Sequence, residues 1–312
     1  MRPRRRWELV ARRLRPSEPK PTILIHNGIA DEPVHPGADG ALTMQSDLIY
    51  DVGAHRGEDA EFYLLKGFRV VAIEAVPALC DDIRTRLRSY LASGQLILIN
   101  ATITDRAGPV TFFVNRTVSV FGTVCENWAK RNELFGAPSD KVSVSGLPFN
   151  DLVAQYGIPY YLKIDIEGSD ILCLRALQSF TSRPKYVSIE SATIRWVDAI
   201  EEFSVLRGLG YSRFKLIQQR EVPKQRCPNP PAEGRYVDHR FEKGSSGLFG
   251  SELPGEWMSE REALRFYRYR FIRYRLVGGE SPLWRWKYGQ YIYSEYATRL
   301  LRLGWYDTHA AI

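Results

Sequence analysis

Cysteine, histidine and methionine are scarce in this chain, at four, five and three of 312 residues. The cysteines, Cys80, Cys125, Cys173 and Cys227, form no C-x-x-C pair and share no zinc-type spacing with the histidines, so a structural zinc site is not expected. Unpaired thiols of this kind fit a reducing compartment, and a cytoplasmic location is expected. No run reaches the roughly 20 apolar residues of a membrane span. The N-terminal MRPRRRWELVARRLRPSEPKP is basic but lacks the apolar core of a secretory signal. The G-x-G-x-x-G fingerprint of dinucleotide binders does not follow the first strand, there is no internal repeat, and no RNA-binding module is recognisable, so nucleic acid is not expected as a partner.

What is present is a core. Apolar residues make up 44% of the chain, which argues against wholesale disorder. The formal charge of +7 is concentrated at the two ends and says little about the fold. Four regions are expected. Residues 1–45 form a basic arm. Residues 46–220 form an α/β core. Residues 221–257, rich in Pro, Gly and polar residues, read as an insertion or lid in which SSGLFG supplies a last edge strand. Residues 258–312 read as a helical extension rich in Arg and aromatics, with Leu264, Tyr267, Phe271 and Tyr274 at helical spacing. Aromatics at that spacing pack on a core more often than they bind a ligand; a homodimer face, an anionic glycan or a lipid headgroup are the functional alternatives.

Within the core, apolar strands alternate with helices. DLIYDVGA, RVVAIEAV, QLILINATIT, YYLKIDIE, KYVSIESA and FKLIQQ are strands, and VTFFVN completes a hairpin with the third. Gly67 ends the first helix, and Pro77 and Gly94 bracket the second. Asn150 caps the short helix NDLVAQYG. This alternation implies an α/β, Rossmann-like fold: a seven-stranded, mostly parallel sheet with helices on both faces.

The most informative stretch is PYYLKIDIEGSD at residues 159–170, where an apolar strand runs into Asp165 and Glu167. Acids at the end of a buried strand are costly unless they meet a ligand, a cation or hydrogen-bond donors. Upstream, DLIYDVGAHRGED has the same design, with Asp51, Gly53 and Gly57 after the strand. Glu74 ends the second strand, where an acid can accept both ribose hydroxyls of a nucleoside. Asp105, or backbone beside it, is placed to reach the adenine edge.

DVGAHRGED, VVAIEAVP and LKIDIEG together resemble the FkbM-type S-adenosylmethionine-dependent methyltransferases, over roughly residues 45–220. KIDIEG is fairly specific to that family, whereas the first glycine loop is shared by class I methyltransferases generally. The resemblance implies S-adenosyl-L-methionine as cofactor. Asp51, Gly53, Ala54 and Gly57 would cradle its methionine part, Glu74 its ribose, and Asp165 would lie beside the methyl donor. It implies O-methylation of a sugar, glycan or secondary metabolite, without naming the acceptor. A nucleotide-sugar or NAD enzyme on the same sheet, and a non-catalytic cofactor-binding relative, are the competing readings.

The switch-point geometry predicts that Asp51, Asp165, Glu167 and Glu190 converge. Lys163, two residues before Asp165, points to the same side of its strand; it either neutralises this cluster or lowers the pKa of a substrate hydroxyl. If the acceptor is a hydroxyl, a base is needed, and Asp165, Glu167 and His239 are the candidates. Glu167 also reads as an acid favouring a helix N-terminus. The spacing is not diagnostic of a metal, and none is expected.

Overall fold

The computed structural model describes residues 42–117, 120, 122–134, 136–191, 195–277 and 305–312. Almost all of the expected arm, and most of the aromatic stretch beyond Val277, lie outside the described residues.

The strands, in chain order, are β1 (Met44–Val52), β2 (Arg69–Glu74), β3 (Leu96–Asn100), β4 (Thr102–Ile103), β5 (Gly108–Asn115), β6 (Ser139–Leu147), β7 (Ile158–Ile164), β8 (Tyr186–Glu190), β9 (Arg213–Gln218) and β10 (Tyr306–Ala311). Seven of them form one sheet in the order β3-β2-β1-β7-β8-β10-β9. Every pairing in it is parallel except those of β10, which runs antiparallel to both neighbours. The order reverses between β1 and β7, so a crevice opens at their carboxyl ends, the place where open α/β sheets hold ligands.

The central strands are near-continuous apolar runs because both faces of the sheet are covered. On one face Leu48, Tyr50, Val52, Leu162 and Ile164 meet side chains of the helices Phe149–Tyr156, Ile171–Leu177, Trp196–Gly208 and Glu260–Val277. Tyr267 and Phe271 of the last helix are buried there, with Leu264 packed against the same core, so these three of the regularly spaced residues pack on the core. On the other face Ile49, Val70, Ala72 and Tyr161 meet the helices Glu58–Leu65 and Pro77–Arg86. Gly67 ends the first of these in the left-handed region, with its own N–H and that of Phe68 returning to the carbonyls of Leu64 and Tyr63.

Several expectations are corrected. Residues 221–257 pack as a layer on the second face: Val222, Phe241, Leu248, Phe249 and Leu253 belong to its core, and Phe249 stacks on Tyr161 with ring centres 4.7 Å apart. A fully buried ion pair anchors this layer, Lys66 to Glu252 at 2.9 Å, and Glu252 also accepts the N–H groups of Ala232 and Glu233. SSGLFG is not a strand. The seventh strand is β10, the last six residues but one of the chain, inserted between β8 and β9. VTFFVN (within β5) does not pair with the third strand; β5 pairs with β6 in a separate three-stranded sheet, β4-β6-β5. The helix opened by Pro77 breaks at Leu87, and Pro148 rather than Asn150 stands at the cap of the helix that follows β6.

Candidate functional site

The turn leaving β1 is built around Gly53. Its φ is +85°, and a Cβ there would lie 1.8 Å from the backbone oxygen of Asp165. Glycine is therefore required to lay this turn against the exit of β7. The N–H groups of Gly53 and Ala54 both donate to the Ile73 carbonyl, at 2.9 and 3.0 Å, which fixes the turn to β2 as well. His55 follows in the left-handed region, and its N–H points at Glu74.

Glu74 ends β2 and is 7% exposed. One carboxylate oxygen accepts the N–H of His55 and the other that of Val76, both at 2.8 Å. Burial raises its pKa to about 7, against the pull of those two N–H groups. Each carboxylate oxygen has a second lone pair, so the group can still accept two donors from a ligand.

Lys163 lies behind this turn, buried. Its Nζ donates to Asp51 Oδ1 at 2.8 Å and to the Gly53 carbonyl at 3.0 Å, and it stands 3.6 Å from Asp59 Oδ2. Burial acts to lower the ammonium pKa, but Asp51 and Asp59 outweigh it and hold it well above the usual lysine value. Asp59 in turn accepts the Ser246 N–H with both oxygens, tying the 221–257 layer to the turn. The ammonium is surrounded by protein oxygens, which corresponds to a counter-ion rather than to a donor aimed at a substrate.

An open cleft lies in front of these groups. Gly53, Ala54, Glu74, Lys163, Asp165 and Glu167 line it from the large sheet, and Phe112, Val120 and Gly122 from the small-sheet side. Asp51 and Gly57 do not line it. Gly57 instead stands at the N-terminus of the helix Glu58–Leu65 with φ +75°. Asp51 is fully buried, and its Oδ2 has no hydrogen-bond partner among the described residues.

At the mouth, Asp165, Glu167 and Glu190 bring carboxylate oxygens within 4.8 Å of one another. Three of the four acids expected to converge are therefore together; Asp51 faces Lys163 instead. Burial raises the Glu190 pKa well above the ordinary carboxylate range, and Glu167 and Asp165 add to the effect. Asp307, at the start of β10 and paired in register with Glu190, is pushed up to about 8, first by burial. Such an oxygen set could hold a cation. Glu167 is not in a helix first turn: it has φ +50°, and the helix begins at Ile171. The acid that pins this loop is Asp170, which accepts the N–H groups of Ile166 and Gly168 at 3.0 Å each.

Two further candidates fall outside the cleft. Asp105 is on an exposed turn between β4 and β5, and the cleft is lined near there by Ala101, Thr102 and Ile103. His239 packs against the rings of Phe62 and Phe241, with centres 5.0 and 4.9 Å away, and burial lowers its pKa. An imidazole committed to that aromatic layer does not reach the acids at the mouth. Conversely, Asp59, Asp307, Phe112 and Gly122 carry weight at the site without standing out in the sequence. Asp59 was the most accessible of these, being the second acid of G-E-D after the glycine turn.

A model of the methyltransferase FkbM domain matches residues 51–213, just over half of the 312 residues. No curated protein matches the chain. Among solved structures it is similar to a precorrin-6Y C5,15-methyltransferase from Geobacter metallireducens GS-15, at 14% identity over 56% of this chain and 70% of that one, with a TM-score of 0.29. It is also similar to a precorrin 8W decarboxylase from Methanobacterium thermoautotrophicum, at 14% identity over the same shares, 56% and 70%, with a TM-score of 0.31. The matched span runs from Asp51 at the glycine turn to the first residue of β9 and so contains Glu74, Lys163, Asp165, Glu167 and Glu190: the chain belongs to the FkbM methyltransferase family.

Proposed function

We propose that the cleft binds S-adenosylmethionine and that the protein transfers its methyl group to a hydroxyl oxygen of a sugar, glycan or secondary metabolite. The observation that carries this reading is Glu74: a buried carboxylate at the end of β2, open to the cleft, with one lone pair on each oxygen left for a vicinal diol. The turn at Gly53 and Ala54 lies beside it and suits the methionine part. Asp165 and Glu167, at the mouth, are on the side where the acceptor would enter.

The bound cofactor supplies a methyl group already activated on a sulfonium. The protein's part is then to position the acceptor and take its proton. Asp165 makes no side-chain hydrogen bond to a described residue and is the first choice for base; the carboxyl groups of Glu167 and Glu190 lie beside it, and crowding of acids favours proton acceptance there. Lys163 keeps Asp51 and Asp59 neutralised, so the turn and the β7 exit stay in register. Transfer to oxygen rather than nitrogen follows the family resemblance.

The test is a screen of sugars, glycans and hydroxylated metabolites with isotope-labelled S-adenosylmethionine, read by mass spectrometry. A gain of one labelled methyl on a hydroxyl is expected. Tight cofactor binding with no transfer to any acceptor would point to a non-catalytic member, and binding of NAD in place of S-adenosylmethionine would overturn the reading.

A further inference from the structure

We propose that Phe112, on the appended three-stranded sheet, selects a flat heteroaromatic base at the small-sheet wall of the cleft, and that position 122 is glycine to let its ring lie there. The inference rests on the cofactor reading above and deepens it by naming a residue that discriminates the base.

Glu74, Ala75 and Val76 follow one another along one wall of the cleft. Ala75 forms a buried apolar cluster with Phe112 and Val144, and Val76 packs against it. The Phe112 ring thus sits one residue beyond the acid that would hold a ribose. It is 7% exposed, and the ring lines the cleft.

Gly122 supplies the second observation. Its φ lies outside the left-handed region, so the backbone there does not need glycine. A Cβ at this position would lie 2.8 Å from Phe112 Cε1 and 3.0 Å from Cζ. What requires the missing side chain is the ring.

The charge pattern completes the case. Asp105 is outside the cleft, and the Asn100 amide is already donated to the Glu74 and Ala75 carbonyls at 2.9 and 3.0 Å. This wall of the cleft therefore offers apolar and aromatic area without a charged partner. That is the chemistry of a site that recognises a base by contact with its flat face or edge.

The experiment compares two ligands, S-adenosylhomocysteine and S-ribosylhomocysteine, which lacks the base. Calorimetry on the full chain gives both affinities for wild type, Phe112→Ala, Phe112→Leu and Gly122→Ala. Phe112→Ala should lose about tenfold or more in affinity for S-adenosylhomocysteine, the usual scale for removing a ring beneath a base, and should leave S-ribosylhomocysteine nearly unchanged. Phe112→Leu should recover part of the loss. Gly122→Ala, which displaces the ring but keeps its apolar area, should show the same selective loss and serves where Phe112→Ala folds poorly. Equal weakening of both ligands, or of neither, would overturn the proposal and leave Phe112 as a packing residue. Wild type that binds no S-adenosylhomocysteine would instead overturn the cofactor reading itself.

Discussion

Lys163 and Asp51 face each other across adjacent parallel strands, register partners of β7 and β1, with Nζ and Oδ1 2.8 Å apart in the protein interior. Asp59 reaches the same ammonium from the following helix. One cation thus holds two buried acids and, through the Gly53 carbonyl, the glycine turn. Removing one partner of a buried pair leaves an uncompensated charge, which costs about 3–5 kcal/mol. Lys163→Met is expected to lower unfolding free energy by about that much, measured by denaturant titration, and Asp51→Leu added to it should restore part of the loss. A Lys163→Met protein of normal stability with abolished turnover would assign Lys163 to the chemistry instead.

Asp165 is not needed for that ion pair, since the partners of Lys163 are Asp51 and Asp59. Its carboxylate is therefore available for catalysis. Asp165→Asn is expected to cut turnover by about 100-fold or more, the scale of a lost general base, while melting temperature and cofactor affinity change little. Normal turnover in a destabilised Asp165→Asn protein would make the residue structural.

The sequence made these acids legible for a physical reason. Glu74 and Asp165 stand at the ends of apolar runs, where a charge is conspicuous, and strands β1, β2, β3, β7, β8 and β9 follow from those same runs. The last strand was hidden because YDTHAA buries Asp307, Thr308 and His309, leaving no apolar run to find. The 221–257 layer was hidden because its anchors, Glu252 on Lys66 and Ser246 on Asp59, join residues nearly 190 positions apart, 186 and 187. Asp59 resembles any first-turn helix acid until Lys163 is placed beneath it. Position after the third strand suggests Asp105 and chemical type suggests His239, and only packing tells that the first is on an outer turn and the second lies among rings.

Buried acids also set a pH dependence. Asp307 at about 8 and Glu74 at about 7 have folded pKa values raised above their unfolded ones, chiefly by burial. Their contribution is present below the unfolded pKa and is lost as pH rises through those values. His309 has the opposite sign: burial depresses it to about 3, so the folded state loses stability as pH falls below the ordinary histidine value of 6.5. With two such acids against one histidine, the ligand-free protein should therefore melt highest near about pH 4 and progressively lower as pH rises to about 8, as followed by scanning calorimetry from about pH 4 to about pH 9. A melting temperature that climbs steadily to the alkaline end would contradict the burial of Asp307 and Glu74 as charged-state penalties.

The measurement that bears most directly on the account is the calorimetric affinity of wild type and Glu74→Ala for S-adenosylhomocysteine. A carboxylate accepting two ribose hydroxyls loses about 1.5–3 kcal/mol of binding when removed, the range for hydrogen bonds to a charged group. Glu74→Ala should therefore bind at least about tenfold more weakly, and wild type should bind more tightly as pH rises through the Glu74 pKa of about 7. Equal affinity in the two proteins, with no dependence on pH in that range, would remove Glu74 from the site and contradict the assignment of this cleft to the cofactor.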